Sequence, residues 1–176
     1  MFSYFKAPIY NLYPEANLSI GEVYKKIIGA DYMTVTDKLR LISGKREANS
    51  FKQKNFDFVT FSGIFKRRSI DGLLLHSNYI CFDFDDVGDI DRLKSILIGD
   101  NQLHTSLLFS SPSGTGLKWV VRIDTQSYSH SDWFRAISNY LDKTYGLKVD
   151  ESGKDVSRAC FLCYDNNAYI DKKELE

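Results

Sequence analysis

The sequence predicts an α+β fold in which a helical N-terminal part is followed by a mixed core with the chain order β-α-β-β-α-β. Helical patterns dominate residues 1–54, whereas aromatic and β-branched runs alternate with two amphipathic stretches in residues 55–172. Hydrophobic residues make up 43% of the 176, enough for a folded core. The length and the lack of a linker predict a single domain over residues 1–176. This chain order is typical of a ferredoxin-like or RNA-recognition-like sheet.

The N-terminal part carries the signals of three helical segments. Ser19 and Glu22 have the spacing of a capping box, and the apolar stripe that follows ends at Gly29. Residues 34–42 predict a second helix. The polar and basic segment KREANSFKQKN, residues 45–55, predicts either a helix with a solvated face or a loop.

The core begins with strand-like sequence. FDFVTFSGIF, residues 56–65, predicts a strand or hairpin, and LLLHSNYICFDFD, residues 73–85, predicts a central strand. DIDRLKSILIG then predicts a short helix with Asp89 as its N-cap and Gly99 as its end.

The second half of the core repeats this alternation. TSLLFSS (105–111) and LKWVVRID (117–124) predict two strands around the turn PSGTG. An amphipathic helix is expected from Ser129 to Gly146, and residues 147–165 predict one or two short strands.

A pair of carboxylates ends the strand at residues 79–85. Alternate strand residues point to the same side, so Asp83 and Asp85 share a face with their Cα atoms roughly 7 Å apart. Phe82 and Phe84 then point into the core beneath the helices. Adjacent carboxylates repel each other unless a cation lies between them, and oxygen ligands suit Mg²⁺ or Mn²⁺. The alternative is a strand end with a solvated acidic loop.

The turn at residues 110–118, SSPSGTGLK, predicts an anion site. Glycines and serines in a tight turn can present N–H groups and hydroxyls to a phosphate, with Lys118 as a nearby cation. The alternative is an ordinary β-hairpin turn. The turn lacks the Walker pattern, because a strand and not a helix follows it.

A third polar segment, VDESGKDVSR, lies at residues 149–158. Asp150 closes a short apolar run, and Arg158 follows with other charged residues. This arrangement predicts a third metal-binding carboxylate flanked by phosphate contacts. The alternative is a surface ion-pair network that contributes little to stability.

The ordered set DFD, SPSGTGLK and VDESGKDVSRACF resembles the archaeo-eukaryotic primase superfamily. More closely, it resembles the primase-like N-terminal domain of VirE-type proteins of bacterial mobile elements. The resemblance covers residues 55–170 and implies a primase-polymerase-like core.

The resemblance also implies roles for individual residues. Asp83, Asp85 and Asp150 would be the catalytic residues that hold Mg²⁺ or Mn²⁺. The set that would contact a nucleoside triphosphate comprises Ser111, Ser113, Gly114, Gly116, Lys118 and Arg158. Active members usually carry histidine where this chain has Lys118, which implies nucleotide binding but leaves open whether the chain is an enzyme.

Three functions are compatible with these motifs. The first is a primase/polymerase-like nucleotidyltransferase that uses divalent metal and nucleoside triphosphates in mobile-element DNA replication. It would act on single-stranded or primed DNA, together with a helicase-like region or protein. The second is a catalytically inactive nucleotide- or nucleic-acid-binding module of a larger replication protein. The third is a metal-dependent nuclease.

The overall composition limits the choice further. Lys plus Arg and Asp plus Glu both number 23, so the chain has no net charge and is not a strongly basic nucleic-acid coat. A local basic patch remains possible at residues 66–68, a candidate contact for the template backbone. No apolar run reaches the roughly 18 residues of a membrane span. The absence of a secretory signal and the presence of three cysteines predict a cytoplasmic protein without membrane partners.

Overall fold

The computed structural model describes residues 1–175, and this part of the chain has a mixed α+β fold, as predicted. The helices are α1 (Ile20–Ile28), α2 (Met33–Arg40), α3 (Lys45–Asn55), α4 (Ile90–Ile98) and α5 (His130–Tyr145). The first five strands are β1 (Phe2–Phe5), β2 (Ala16–Leu18), β3 (Phe58–Thr60), β4 (Gly63–Phe65) and β5 (Leu73–His76). The others are β6 (Tyr79–Phe84), β7 (Thr105–Ser110), β8 (Leu117–Arg122), β9 (Cys160–Phe161) and β10 (Tyr169–Ile170).

The strands form two four-stranded sheets and one hairpin. Sheet I has the order β2-β1-β3-β9, sheet II has the order β10-β7-β8-β6, and β4 pairs with β5. Neighbouring strands within each of them are antiparallel. Since β8 lies between β6 and β7, these two strands run parallel to each other, and α4 connects them. This arrangement is a split βαβ unit.

The end of sheet II differs from a ferredoxin-like sheet. The predicted order β-α-β-β-α is present in β6, α4, β7, β8 and α5. A ferredoxin-like sheet would place the fourth strand beside the first, which here is β6. Instead, β10 pairs with β7, with Tyr169 opposite Leu108, and β9 joins sheet I through β3.

Sheet II lies between two apolar layers. Helices α4 and α5 cover one face, and this layer is built from fully or almost fully buried side chains that include Phe82, Phe84, Leu97, Trp119, Phe134 and Leu141. The predicted inward direction of Phe82 and Phe84 is therefore confirmed. Sheet I and α1 cover the other face, through a cluster that includes Phe2, Val23, Val59, Phe109 and Val120.

The N-terminal part is helical only from residue 20 onwards. Two strands precede α1, and β1 lies inside sheet I between β2 and β3. All four residues of β1 are buried. The prediction of a wholly helical part over residues 1–54 is wrong here, because a four-residue strand without clear alternation carries almost no periodic signal.

The predicted central strand over residues 73–85 is in fact two strands in different sheets. Asn78 has a φ of 62°, a left-handed conformation that asparagine tolerates better than most residues and that breaks the run. β5 then pairs with β4, while β6 forms one edge of sheet II. This edge position leaves the end of β6 open to a segment from elsewhere in the chain.

The predicted helix caps are confirmed. The Ser19 hydroxyl accepts a hydrogen bond from the Glu22 amide at 3.2 Å, and the Glu22 carboxylate accepts from the Ser19 amide at 2.7 Å. Asp89 caps α4 through the Arg92 amide, and α5 ends at Gly146 in the left-handed conformation. Within residues 1–175, no helix is long and apolar enough to cross a membrane.

Candidate functional site

Three aspartates from two distant parts of the chain meet at the open edge of β6. Asp83 and Asp85 lie at the end of this strand, and Asp150 follows α5. Each offers a carboxylate oxygen, and these oxygens lie within 4.8 Å of one another. The Asp150 amide donates a 3.0 Å hydrogen bond to the Asp83 carbonyl, which fixes the two segments side by side. The structure therefore brings the predicted carboxylates together.

Asp83 carries an ion pair and an unsatisfied oxygen. Asp83 faces Lys118 across the β6–β8 ladder, and the Lys118 ammonium donates to Asp83 Oδ2. Both side chains are largely buried, 17% and 11% exposed. Asp83 Oδ1 is also buried and has no hydrogen-bond partner among residues 1–175. Leaving such an oxygen without a partner costs about 1–3 kcal/mol, or more when it is charged.

Asp150 is held in its charged form. Its carboxylate accepts hydrogen bonds from the Ser152 amide at 2.9 Å and from the Ser152 hydroxyl at 2.6 Å. An Arg158 guanidinium nitrogen donates to the same group at 3.1 Å. Burial raises the pKa of Asp150, but these bonds and the charges of Arg158 and Lys118 outweigh it, so the pKa is lowered.

The pKa values of Asp85 and Lys118 depend on the charges of their neighbours. Burial and the like charges of Asp83 and Asp150 raise the pKa of Asp85. Burial lowers the pKa of Lys118, but the charge of Asp83 outweighs this effect and the pKa is raised. Lys118 therefore stays protonated, and the aspartates repel one another in the absence of a further cation.

The serine-glycine turn has a different structure from the predicted phosphate cradle. The Gly114 amide donates to the Ser111 carbonyl at 2.9 Å, and the Gly116 amide donates to the Ser111 hydroxyl at 3.1 Å. The prediction that these glycines offer free N–H groups is therefore wrong. Gly114 has a φ of 79°, and a Cβ at Gly116 would lie 2.3 Å from the Phe84 carbonyl oxygen. The two glycines shape the turn and bring it close to β6.

A cavity of about 410 Å³ opens beside the aspartates. Six of the nine predicted site residues line it, namely Asp83, Asp85, Ser111, Ser113, Lys118 and Arg158. Asp150 contacts it indirectly through Arg158, whereas Gly114 and Gly116 are not in its lining. The serines and the cations are thus placed where a ligand next to the aspartates would contact them.

Two further cations line the cavity, namely Lys52, which sequence reasoning missed, and Arg68, which it assigned to a basic patch for the template backbone. Lys52 extends from α3, the segment for which the sequence left helix and loop open, and Arg68 follows the β4 strand. Arg68 belongs to the basic cluster at residues 66–68, but Lys66 and Arg67 are exposed and do not line the cavity. The spacing of Lys45, Asn49 and Lys52 on one helical face was the available signal, since residues at i, i+4 and i+7 share a face.

The family of this chain is shown by a match to a family model. The model of the BT4734-like N-terminal domain matches residues 50–170, which is more than half of the chain. The chain belongs to the BT4734-like N-terminal domain family. No curated protein and no solved structure shows significant similarity to it.

The part matched to the BT4734-like family contains the candidate site. Residues 50–170 include the three aspartates, the serine-glycine turn, Lys52 and Arg68. Strands β1 and β2 and helices α1 and α2 precede it. The family description carries no activity, so the resemblance to primases remains a prediction.

Proposed function

We propose that this BT4734-like domain is a metal-dependent nucleotidyltransferase of the primase-polymerase type. The observation that carries the proposal is the meeting of Asp83, Asp85 and Asp150 within 4.8 Å beside a cavity lined by cations. Three carboxylates brought together from two separate segments suit a divalent cation, and the basic side chains suit the phosphates of a nucleotide. The resemblance of the same motifs to primases supports the choice of reaction.

The residues present fit a divalent cation. The donor set is entirely carboxylate oxygen, which Mg²⁺ and Mn²⁺ prefer. Asp83 Oδ1 is buried without a partner among residues 1–175, and a cation would satisfy it. Asp83, Asp85 and Asp150 would hold the ion, which would neutralise charge on the phosphates of the substrate.

The side chains around the aspartates would position the substrate. Arg158 and Lys118 lie on the cavity side of the aspartates and would offset the negative charge of a triphosphate. Ser111 and Ser113 offer hydroxyls from the turn. A primer 3′-hydroxyl would then be aligned with the α-phosphate, which is mainly a task of positioning and electrostatics.

The proposal extends to partners and cell compartment. The second substrate would be single-stranded or primed DNA, and the host process would be replication of a mobile element in the cytoplasm. A helicase-like region or protein would open the template. The split βαβ unit of sheet II would be the counterpart of a primase-polymerase core.

Lys118 favours a second candidate function. Its ammonium pairs with Asp83 Oδ2 and so occupies one of the oxygens that a metal would need. A site in which lysine replaces part of the metal charge would bind a nucleotide without joining it to a primer. The second candidate is therefore a catalytically inactive nucleotide-binding module of a replication protein. The metal-dependent nuclease has no such specific observation in its favour.

Primer synthesis and extension on single-stranded DNA with Mn²⁺ and labelled nucleotides tests the first proposal. We expect product from the native protein and a loss of about 100-fold or more in Asp83→Asn and Asp150→Asn, because a lost metal ligand removes several kcal/mol of charge stabilisation. Asp91→Asn is the matched control, since Asp91 is an exposed aspartate of α4.

Three outcomes would contradict the proposed enzyme. Equal activity in the native protein and the Asp83 variant would mean that product comes from a contaminant. Nucleotide binding that depends on Asp83, without product, would select the binding module. Degradation of the DNA without a requirement for nucleotide would select the nuclease.

A further inference from the structure

Two cations that line the cavity form no ion pair within residues 1–175. Lys52 and Arg68 are both half-buried, and neither forms an ion pair with any other residue in the described range 1–175. In contrast, Lys118 and Arg158 pair with Asp83 and Asp150. Lys52 and Arg68 are therefore the cations of this cavity that remain available to a ligand.

Aromatic rings hold these two cations in place. The Lys52 ammonium lies 5.7 Å from the centre of the Phe161 ring, and the Arg68 guanidinium lies 5.2 Å from the centre of the Phe58 ring. The two rings contact each other edge to face at 6.2 Å. This aromatic platform orients both cations towards one cavity, but it carries no charge to neutralise them.

Only part of the hydrogen-bonding capacity of the Arg68 guanidinium is used. One terminal nitrogen donates to the Ile9 carbonyl at 2.8 Å, which anchors the side chain. Its Nε is buried and has no hydrogen-bond partner in the described part of the chain. Burial lowers the pKa values of Arg68 and Lys52, and it outweighs the opposing charges of Asp155 on Arg68 and of Asp83 and Asp85 on Lys52. A buried donor without a partner is costly, and an anionic ligand would remove this cost.

We propose that Lys52 and Arg68 form a second phosphate subsite, which binds the terminal phosphates of the nucleoside triphosphate. The inference rests on the proposed function, because the aspartates would fix the other end of the same triphosphate through the metal. Lys118 and Arg158 form ion pairs with the aspartates, whereas Lys52 and Arg68 line the same cavity without an ion pair among residues 1–175. A polyphosphate can contact both the metal and these two cations because its charges are close together.

The shape of the site favours a triphosphate over a nucleic-acid backbone. A DNA strand carries one charge per nucleotide, and a protein that follows it spreads its cations along a groove. Here the uncommitted cations lie over two touching rings at a cavity of about 410 Å³. The position of Lys66 and Arg67 outside the cavity agrees with this choice.

Calorimetric titration with inorganic tripolyphosphate in the presence of Mg²⁺ tests the subsite. We expect Lys52→Gln and Arg68→Gln each to weaken the affinity about ten-fold, the usual loss for a charge-assisted hydrogen bond. The matched controls are Lys54→Gln and Arg67→Gln, which remove exposed cations of the same segments. Lys52 contacts the Phe161 ring and forms no ion pair within residues 1–175, so Lys52→Gln should leave the fold intact, as judged by circular dichroism.

The outcomes separate the subsite from the proposed enzyme. Unchanged tripolyphosphate affinity in Lys52→Gln would overturn the subsite, even if primer synthesis remains and still depends on Asp83. Loss of affinity for a short single-stranded oligonucleotide, with tripolyphosphate unaffected, would also overturn it. Ten-fold weaker tripolyphosphate binding in a protein that makes no primer would support the subsite and reject nucleotidyl transfer.

Discussion

Gly116 is the residue at which the site tolerates least change. It directly precedes β8, beside the end of β6, and an added Cβ would lie 2.3 Å from the Phe84 carbonyl oxygen and 3.2 Å from the Ser111 hydroxyl. At such a distance, the Phe84 backbone would have to move, and this movement costs free energy. The glycine therefore sets how close the serine-glycine turn lies to Asp83 and Asp85.

We expect Gly116→Ala to destabilise the protein by about 1–3 kcal/mol, because the methyl group overpacks the junction of β6 and β8. Urea denaturation measures the change. Gly88→Ala is the matched control, since a Cβ at Gly88 would meet no atom within 4 Å. Equal midpoints for the two variants would show that the turn can move, and that Gly116 does not hold the site together.

At the scale of single residues, the sequence predicted the carboxylates of the site better than its cations. Asp83 and Asp85 follow from strand alternation, and Asp150 follows from its place at the end of an apolar run with charged residues after it, which the resemblance to primases supported. Lys52 was missed and Arg68 was assigned only to a basic patch for the template, because Phe161 and Phe58 come to lie beside them only in the folded chain. The glycine amides were assigned wrongly, since the sequence does not reveal that the turn satisfies them internally.

The next scale is that of the elements, where two histidines connect the hairpin to α5. The Asn78 amide donates to His76 Nδ1 at 3.0 Å, so His76 carries its proton on Nε2 and donates to His130 Nδ1 at 3.0 Å. His130 then donates from Nε2 to the Gly153 carbonyl at 3.1 Å. This chain of hydrogen bonds requires both rings to be neutral.

The histidine chain makes stability depend on pH. Burial, followed by the proximity of His130, lowers the pKa of His76 to about 4, and burial lowers the pKa of His130. In the unfolded chain both rings take up protons below about pH 6.5. The unfolded state therefore binds more protons between pH 6.5 and 4, and the folded state loses stability as the pH falls through this range.

We expect the free energy of unfolding to fall by about 1–2 kcal/mol between pH 7 and pH 5, allowing for the partial exposure of His76. Urea denaturation at both pH values measures it. His76→Gln should reduce this fall, because glutamine offers a donor and an acceptor but does not titrate. His104→Gln, a change at an exposed histidine, should leave it unaltered. An identical pH dependence in both variants would contradict the role of the chain.

The elements themselves were predicted where local rules decide them. Helices α1, α4 and α5 begin and end at the expected caps, because capping depends on residues close in sequence. Strands β1 and β2 were missed and β6 was taken as central, because short strands and their order are decided by tertiary pairing. The displacement of β10 to the side of β7 has the same origin.

On the scale of the whole molecule, the three aspartates bring together the strand before α4 and the segment after α5. Asp83 and Asp85 belong to β6, and Asp150 belongs to the segment that follows α5. A cation bound to all three would link these segments in the folded state only. Ligands that bind only the folded state stabilise it by mass action.

We expect Mn²⁺ at about 100 times its dissociation constant to stabilise the fold by about 2.7 kcal/mol. For a chain of this length, this change corresponds to a rise in Tm of about 5–10 °C, measured by calorimetry. Asp150→Asn should abolish the rise, and EDTA should reverse it. The same rise in the native protein and the Asp150 variant would place the metal elsewhere.

The backbone bond from Asp150 to Asp83 also has a consequence for observing the site. Because the Asp150 amide donates to the Asp83 carbonyl, its hydrogen leaves this bond whenever the segment after α5 moves away from β6. The rate at which this one amide exchanges with solvent deuterium therefore reports how readily the segment after α5 separates from β6. The Asp150 amide resonance would thus report on the assembly of the three carboxylates in the absence of substrate, metal and catalysis.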